Sequence, residues 1–253
     1  MTPQEQNSIQ PRSRGIYLLP NLFTTVNLFA GFYAIVASMR GHFDAAAIAV
    51  FIAMIMDFLD GRIARLTQTQ TAFGMEYDSL SDMVSFGVAP ALIMYHWAFI
   101  DLGQFGWLIA FIFTASVALR LARFNTQVKH NDKRYFQGLP CPAGAGIIAA
   151  VVWLGGNRPH FGLFMDMILG AMAIFIAALM VSNIRYNSFK EIDLKNRIPF
   201  VALLVIVLIF VGIAIDPPSV LFIIFAVYGL SGPILTLIRL RKARFERKRA
   251  RMY

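Results

Sequence analysis

Four aspartates fall in one short stretch, DFLDGRIARLTQTQTAFGMEYDSLSD, residues 57–82. On a helix, Asp57, Asp60, Gly61 and Ala64 follow the i, i+3, i+4, i+7 pattern and share a face. Asp78 and Asp82 form an i, i+4 pair. Two neighbouring antiparallel helices would therefore bring four carboxylates together. Such a cluster repels itself strongly where the dielectric is low, and it persists if cations neutralise it. Oxygen-only ligands suit Mg²⁺, Mn²⁺ or Ca²⁺ rather than zinc or copper. A two-metal site can clamp a pyrophosphate and stabilise in-line displacement at phosphorus. Gly61 and Ala64 lack bulk on the same face and would let a phosphorylated ligand approach the backbone. Arg65 could hold a phosphate. Two other uses stay open at this point. Small residues on a helix also serve helix packing. Transporters also cluster acids, but typically at the membrane midplane between broken helices.

The elements that must position these residues are membrane spans. The 253-residue chain is 58% hydrophobic and only 15% charged, with mean hydropathy +0.62. A soluble domain carries about a quarter charged residues. The apolar residues come in long runs, which marks spanning helices. Eight spans are expected, at 20–39, 44–65, 76–98, 104–125, 140–156, 160–182, 198–215 and 219–238. The fold class is thus all-α, a polytopic membrane bundle. The fifth span is short, and tilt or a break near Pro142 is expected. The N-terminal stretch 1–15 is polar, and the first apolar run is long enough to span, so no cleavable leader is expected. One cysteine, Cys141, excludes an internal disulfide and the usual zinc spacings. His42, His96, His130 and His160 are scattered and suggest no ligand set.

Charge sets the orientation. With a cytoplasmic N-terminus, all but Arg40 and Arg158 of the 23 basic residues fall on one side. The acidic stretch lies on that same side, at a membrane edge. The net charge of +9 then reflects topology and contact with anionic lipid rather than nucleic acid. The basic run at 239–253 reads the same way, as a cytoplasmic tail after a membrane domain spanning 16–238.

The spacing Asp57-x2-Asp60-Gly61-x2-Ala64-Arg65-x8-Gly74-x3-Asp78-x3-Asp82 resembles the signature of the CDP-alcohol phosphatidyltransferase family without a departure. LPNLFTTVNLFAGF, DSLSDMVSFGVAPALI, RLARFN, FQGLPCPAGAG and VSNIRY resemble its bacterial, integral-membrane branch that accepts serine. The resemblance implies transfer of the phosphatidyl group from CDP-diacylglycerol to the hydroxyl of L-serine, giving phosphatidylserine and CMP. It implies a six-helix core plus two C-terminal helices, divalent metal (Mg²⁺ or Mn²⁺, two per site), a homodimer, and the inner membrane of a bacterial-type cell. By the same resemblance Asp57, Asp60 and Asp78 ligate metal, and Asp82 is the general base and also touches a metal. Asp57, Gly61, Ala64, Arg65 and Gly74 line the cytidine diphosphate site. Direct attack by serine and a covalent phosphatidyl-aspartate remain alternatives. So do acceptors that carry a phosphate, such as glycerol 3-phosphate or inositol phosphate, and, in a different class, cation transport.

The remaining polar residues are read from position. Asn21, Thr24 and Asn27 on the first span are spaced by three and could face the nucleotide or bond neighbouring helices. Free serine carries a carboxylate, so its pocket needs a cation. Arg120, Arg123 and Arg185, at cytoplasmic ends of spans, are the candidates, with topology as their other use. FQGLPCPAG, with Gly138 and Pro140, is expected to be non-helical and to line the polar chamber.

Overall fold

The computed structural model describes residues 18–69, 71–127, 135–156, 162–187 and 200–250. The stretches 1–15 and 251–253, and Arg158, lie outside them. The chain is an all-α polytopic bundle. Helix α1 (Leu18–Met39) turns at Gly41 into α2 (Phe43–Leu66). A helical rod then runs from 72 to 102. It comprises α3 (Ala72–Asp82), a π-helical turn at Met83–Val88, α4 (Ala89–Met94), a second π turn at Tyr95–Phe99 and a 3₁₀ turn at Ile100–Leu102. Next come α5 (Gln104–Gln127), strand β1 (Tyr135–Gln137), α6 (Cys141–Gly155), α7 (Leu163–Val181), strand β2 (Arg185–Asn187), α8 (Phe200–Ile215) and α9 (Pro217–Ala250).

These eight rods correspond to the eight expected spans. Five are long and apolar enough to cross a membrane: Pro20–Met39, Ala72–Leu102, Gln104–Thr126, Leu163–Val181 and Pro217–Arg239. Cys141–Gly155 and Leu203–Ile215 are shorter apolar helices. Between the spans, β1 and β2 pair antiparallel with Phe136 opposite Tyr186. Two expectations shift. Helix α6 is not broken near Pro142; the proline sits in its first turn, where a missing N–H leaves nothing unpaired. Helix α9 does not stop at 238 but continues through the basic run to Ala250.

Helices α1 and α2 pack closely along their length. Their interface is built from alanines, including Ala30, Ala34, Ala46, Ala49 and Ala53, and small residues let helix axes approach closely. On its other side α1 meets the rod. A Cβ on Gly31 would lie 2.6 Å from the backbone of Ser85, so glycine is needed there. Helix α6 is buried on nearly every side, as its all-round apolar sequence requires. It lies between α2 and α9, with Met54 and Phe225 both against Gly146. Helix α8 packs chiefly on α9 and leaves Leu203–Val211 exposed.

The pairing of β1 with β2 brings the α5–α6 and α7–α8 connections to one end of the bundle. The α2–α3 connection lies at that end too, since Phe124 near the end of α5 shares a cavity with Thr69 and Thr71. Of the basic residues that the charge pattern assigns to one side, Arg62, Arg65, Arg120, Arg123 and Arg185 lie on the described elements that border these connections.

Candidate active site

The site forms where α2 ends and α3 begins. Asp57 and Asp60 come from the last turns of α2, and Asp78 from the middle of α3. One carboxylate oxygen from each of these three lies within 4.8 Å of the others. Asp82, one turn beyond Asp78, is buried, and its charged neighbours are Asp57, Asp78 and Asp60. The helical spacing of the sequence thus converges four carboxylates.

Helix α1 supplies hydrogen bonds to Asp60 and Asp82. Thr24 Oγ1 lies 3.0 Å from Asp60 Oδ2 and 3.1 Å from the Pro20 carbonyl oxygen, and can donate to either. Asn27 Nδ2 donates to Asp82 Oδ1 at 3.1 Å. Two serines of the rod tie it to the backbone of α1. Ser81 Oγ donates to the Thr24 carbonyl and Ser85 Oγ to the Asn27 carbonyl. Thr71 caps α3 by accepting from Gly74 N at 2.9 Å, the usual role of a threonine before a first turn.

A cavity of about 560 Å³ opens above the carboxylates. Asn21, Thr24, Asp60, Gly61, Ala64, Gly74 and Asp78, all expected at the site, line it. Pro20, Thr69, Thr71, Ala72, Met75 and Phe124 line it as well. These six were not legible as site residues, because ordinary loop and helix-end residues carry no chemical signal until the fold closes around them. A Cβ on Gly61 would meet no atom within 4 Å, so the described helices leave open space beside it. Gly74, by contrast, is tight, with Thr71 Oγ1 at 3.1 Å and Asn21 Oδ1 at 3.4 Å from its would-be Cβ.

Several expected residues lie outside this cavity. Asp57 and Asp82 lie beside it in the carboxylate cluster rather than on its lining. Arg65 is exposed, and its Nε donates to the Gly61 carbonyl one turn back. Gly138 and Pro140 belong to a turn. Gly138, at φ +76°, packs closely against the Met180 carbonyl, and Pro140 precedes α6. The FQGLPCPAG segment is therefore a strand, a turn and a helix start, and it does not contribute to the lining of this cavity. Arg185 is exposed on β2.

Arg120 and Arg123 behave differently from each other. Arg123 ties α5 to the end of α7, with Nη1 3.3 Å from Asn183 Oδ1. Arg120 is buried, and its Nε has no hydrogen-bond partner among the described residues. Its electrostatic neighbours are Cys141, Tyr228, Arg123 and Tyr186, none of them a carboxylate. Cys141 in turn feels Asp82 and Asp57. The buried guanidinium and the carboxylate cluster thus flank the start of α6. Tyr186 donates its hydroxyl to the Gly229 carbonyl at 2.9 Å and stacks obliquely on Tyr228. Burial beside Tyr228 pushes the Tyr186 hydroxyl up to about 12.

The donor set fits a hard divalent cation. It is oxygen only, and its carboxylates come from two helices and meet within a few ångströms. Asp78 Oδ1 is buried without a hydrogen-bond partner among the described residues.

The sequence pattern of CDP-alcohol phosphatidyltransferases matches residues 17–182. A CDP-diacylglycerol–serine O-phosphatidyltransferase of Helicobacter pylori is 37% identical over 89% of this chain and 94% of its own length. One from Mycobacterium tuberculosis is 30% identical over 87% of this chain and 79% of its own. An archaetidylserine synthase of Methanothermobacter thermautotrophicus is 34% identical over 66% and 69%.

Proposed function

The chain belongs to the CDP-alcohol phosphatidyltransferase family, and on that premise we propose that it transfers the phosphatidyl group of CDP-diacylglycerol to L-serine, releasing CMP. The observation that carries this is the convergence of Asp57, Asp60 and Asp78 beside a cavity whose Gly61 wall is open. The relatives' names support the acceptor: they share serine and differ in the lipid. Family membership also replaces the cation-transport alternative.

The cytidine diphosphate occupies the cavity, its pyrophosphate against Gly61 and Ala64 and toward Asp60 and Asp78. Asp57, Asp60 and Asp78, with Asp82 beside them, would hold Mg²⁺ or Mn²⁺, two ions per site, which would supply positive charge to offset the pyrophosphate and the leaving CMP. Thr24 holds Asp60 in place. Asp82 accepts the serine proton as the hydroxyl oxygen attacks the β-phosphorus. The new P–O bond joins serine to the phosphatidyl group, the bond to the CMP phosphate breaks, and CMP leaves as a phosphate monoester. Arg120 binds the serine carboxylate. A buried guanidinium without a carboxylate partner is costly, and a ligand carboxylate removes that cost with paired hydrogen bonds. Arg123 and Arg185 hold the surrounding loops and the membrane orientation. Both termini and the site face the cytoplasm of a bacterial-type cell, and the protein is a homodimer in the inner membrane.

Purified protein given CDP-diacylglycerol and a panel of acceptors tests this reading. CMP release with serine, and phosphatidylserine as the product, is expected. Product formation with glycerol 3-phosphate or inositol phosphate instead would move the assignment within the family. Arg120→Ala should raise the KM for serine more than that for CDP-diacylglycerol; unchanged serine kinetics would put the carboxylate site elsewhere.

A further inference from the structure

Asn27 is fully buried on α1, and its side chain makes one hydrogen bond, from Nδ2 to Asp82 Oδ1 at 3.1 Å. Its Oδ1 is buried with no partner among the described residues. Unpaired buried carbonyl oxygens cost stability, so the amide is not explained by the fold alone.

The surroundings fix the backbone that carries this amide. Ser85 Oγ donates to the Asn27 main-chain carbonyl, and Gly31, one turn further along α1, lets the Ser85 backbone come close. Asp82 ends α3, immediately before the π-helical turn that contains Ser85. Terminal carboxylate torsions are broad. A carboxylate among three others needs an outside partner to fix which oxygen faces the acceptor.

We infer that Asn27 is a positioning residue for Asp82: its amide N–H holds Oδ1 of the base and leaves Oδ2 directed at the acceptor hydroxyl. The inference rests on the assignment of Asp82 as the base. It adds that α1 serves the reaction at two points one helical turn apart, Thr24 on Asp60 and Asn27 on Asp82.

A double-mutant cycle tests it. Wild type, Asn27→Leu, Asp82→Asn and the double variant are compared for CMP release at saturating serine and Mn²⁺, together with the KM for CDP-diacylglycerol. Loss of a supporting hydrogen bond of this kind typically lowers activity about 10–100-fold. Asn27→Leu should lower kcat by that order and leave the KM for CDP-diacylglycerol unchanged. In the double variant the Asn27 change should cost nothing further, because residues acting as a unit are not additive. Wild-type kcat in Asn27→Leu, or two losses that multiply, would overturn the inference while leaving Asp82 as the base. Full activity in Asp82→Asn would instead remove the base assignment, and the positioning role with it. If Asn27→Leu is not monodisperse in detergent, Asn27→Ala, which adds no atoms, takes its place in the cycle.

Discussion

Asp82 and Asp60 sit about one helix apart in sequence, yet their surroundings differ. Asp60 lies on the cavity lining with Asp78, whereas Asp82 is buried beside them against Asn27. Their amide variants should therefore fail differently. General-base catalysis is typically worth about 10²–10⁴-fold, so Asp82→Asn should lose roughly that much kcat while CDP-diacylglycerol still binds. Asp60→Asn should weaken metal and nucleotide binding together, with partial rescue by excess Mn²⁺. EDTA should abolish CMP release by wild type. If Mn²⁺ restores Asp82→Asn as readily as Asp60→Asn, the roles of the two must be exchanged. Gly61 gives a second residue-scale test. A Cβ there meets only open space, and glycine costs a helix about 1 kcal/mol against alanine. Gly61→Val should thus fold normally, yet crowd the nucleotide. Overpacking costs about 1–3 kcal/mol, which is about 30-fold in affinity at its middle, read as a higher KM for CDP-diacylglycerol. An unaltered KM would return Gly61 to helix packing. The aspartates and Gly61 were legible from sequence because they are set by local i, i+3 and i, i+4 spacing on two consecutive helices. The role of Arg120 was not distinguishable from those of Arg123 and Arg185. Its burial depends on α6, β2 and α9, which lie far along the chain.

At the scale of elements, α1 is the template against which the carboxylate-bearing helices are set. Its alanine face meets α2, and its Thr24–Asn27–Gly31 face meets the rod. The apolar runs made these helices predictable, but not this division of α1 into two faces. The π turns at Met83–Val88 and Tyr95–Phe99 were also invisible in the sequence, since an i→i+5 turn has no residue signature separate from an α-helix. Such turns occur frequently at functional sites, and the first of them begins directly after Asp82. Gly31 tests the template. Its would-be Cβ clashes with the Ser85 backbone as well as with its side chain. Gly31→Ala should push α1 from the rod, at an overpacking cost of about 1–3 kcal/mol. Both melting temperature and kcat should fall, and Ser85→Gly should restore them only in part, because the clash with the backbone at position 85 remains. Normal kcat in Gly31→Ala would show that the α1–rod spacing does not set the site.

For the whole molecule, the distribution of charge and the arrangement of connections point to one sidedness. The α2–α3, α5–α6 and α7–α8 connections share one end of the bundle with the cavity, and that end collects the basic residues. Arg40, at the opposite end of the α1–α2 pair, is exposed. By the positive-inside rule the cavity is expected on the cytoplasmic side, where a water-soluble serine acceptor and the departing CMP would meet it. The sole cysteine makes this testable without removing anything, because Cys141 is buried and 4% exposed, too little for a bulky reagent. Arg40→Cys places a thiol at one end, and Thr126→Cys, exposed at the end of α5, places one at the other. A membrane-impermeant maleimide added to spheroplasts should label Arg40→Cys and spare Thr126→Cys; inside-out vesicles should reverse the pattern. Each variant should keep CMP release before labelling, which excludes a misfolded fraction as the source of signal. Labelling of Thr126→Cys from outside would invert the molecule and put the carboxylates on the far side of the membrane. The reading of the charge pattern would then be wrong even though the site chemistry stood.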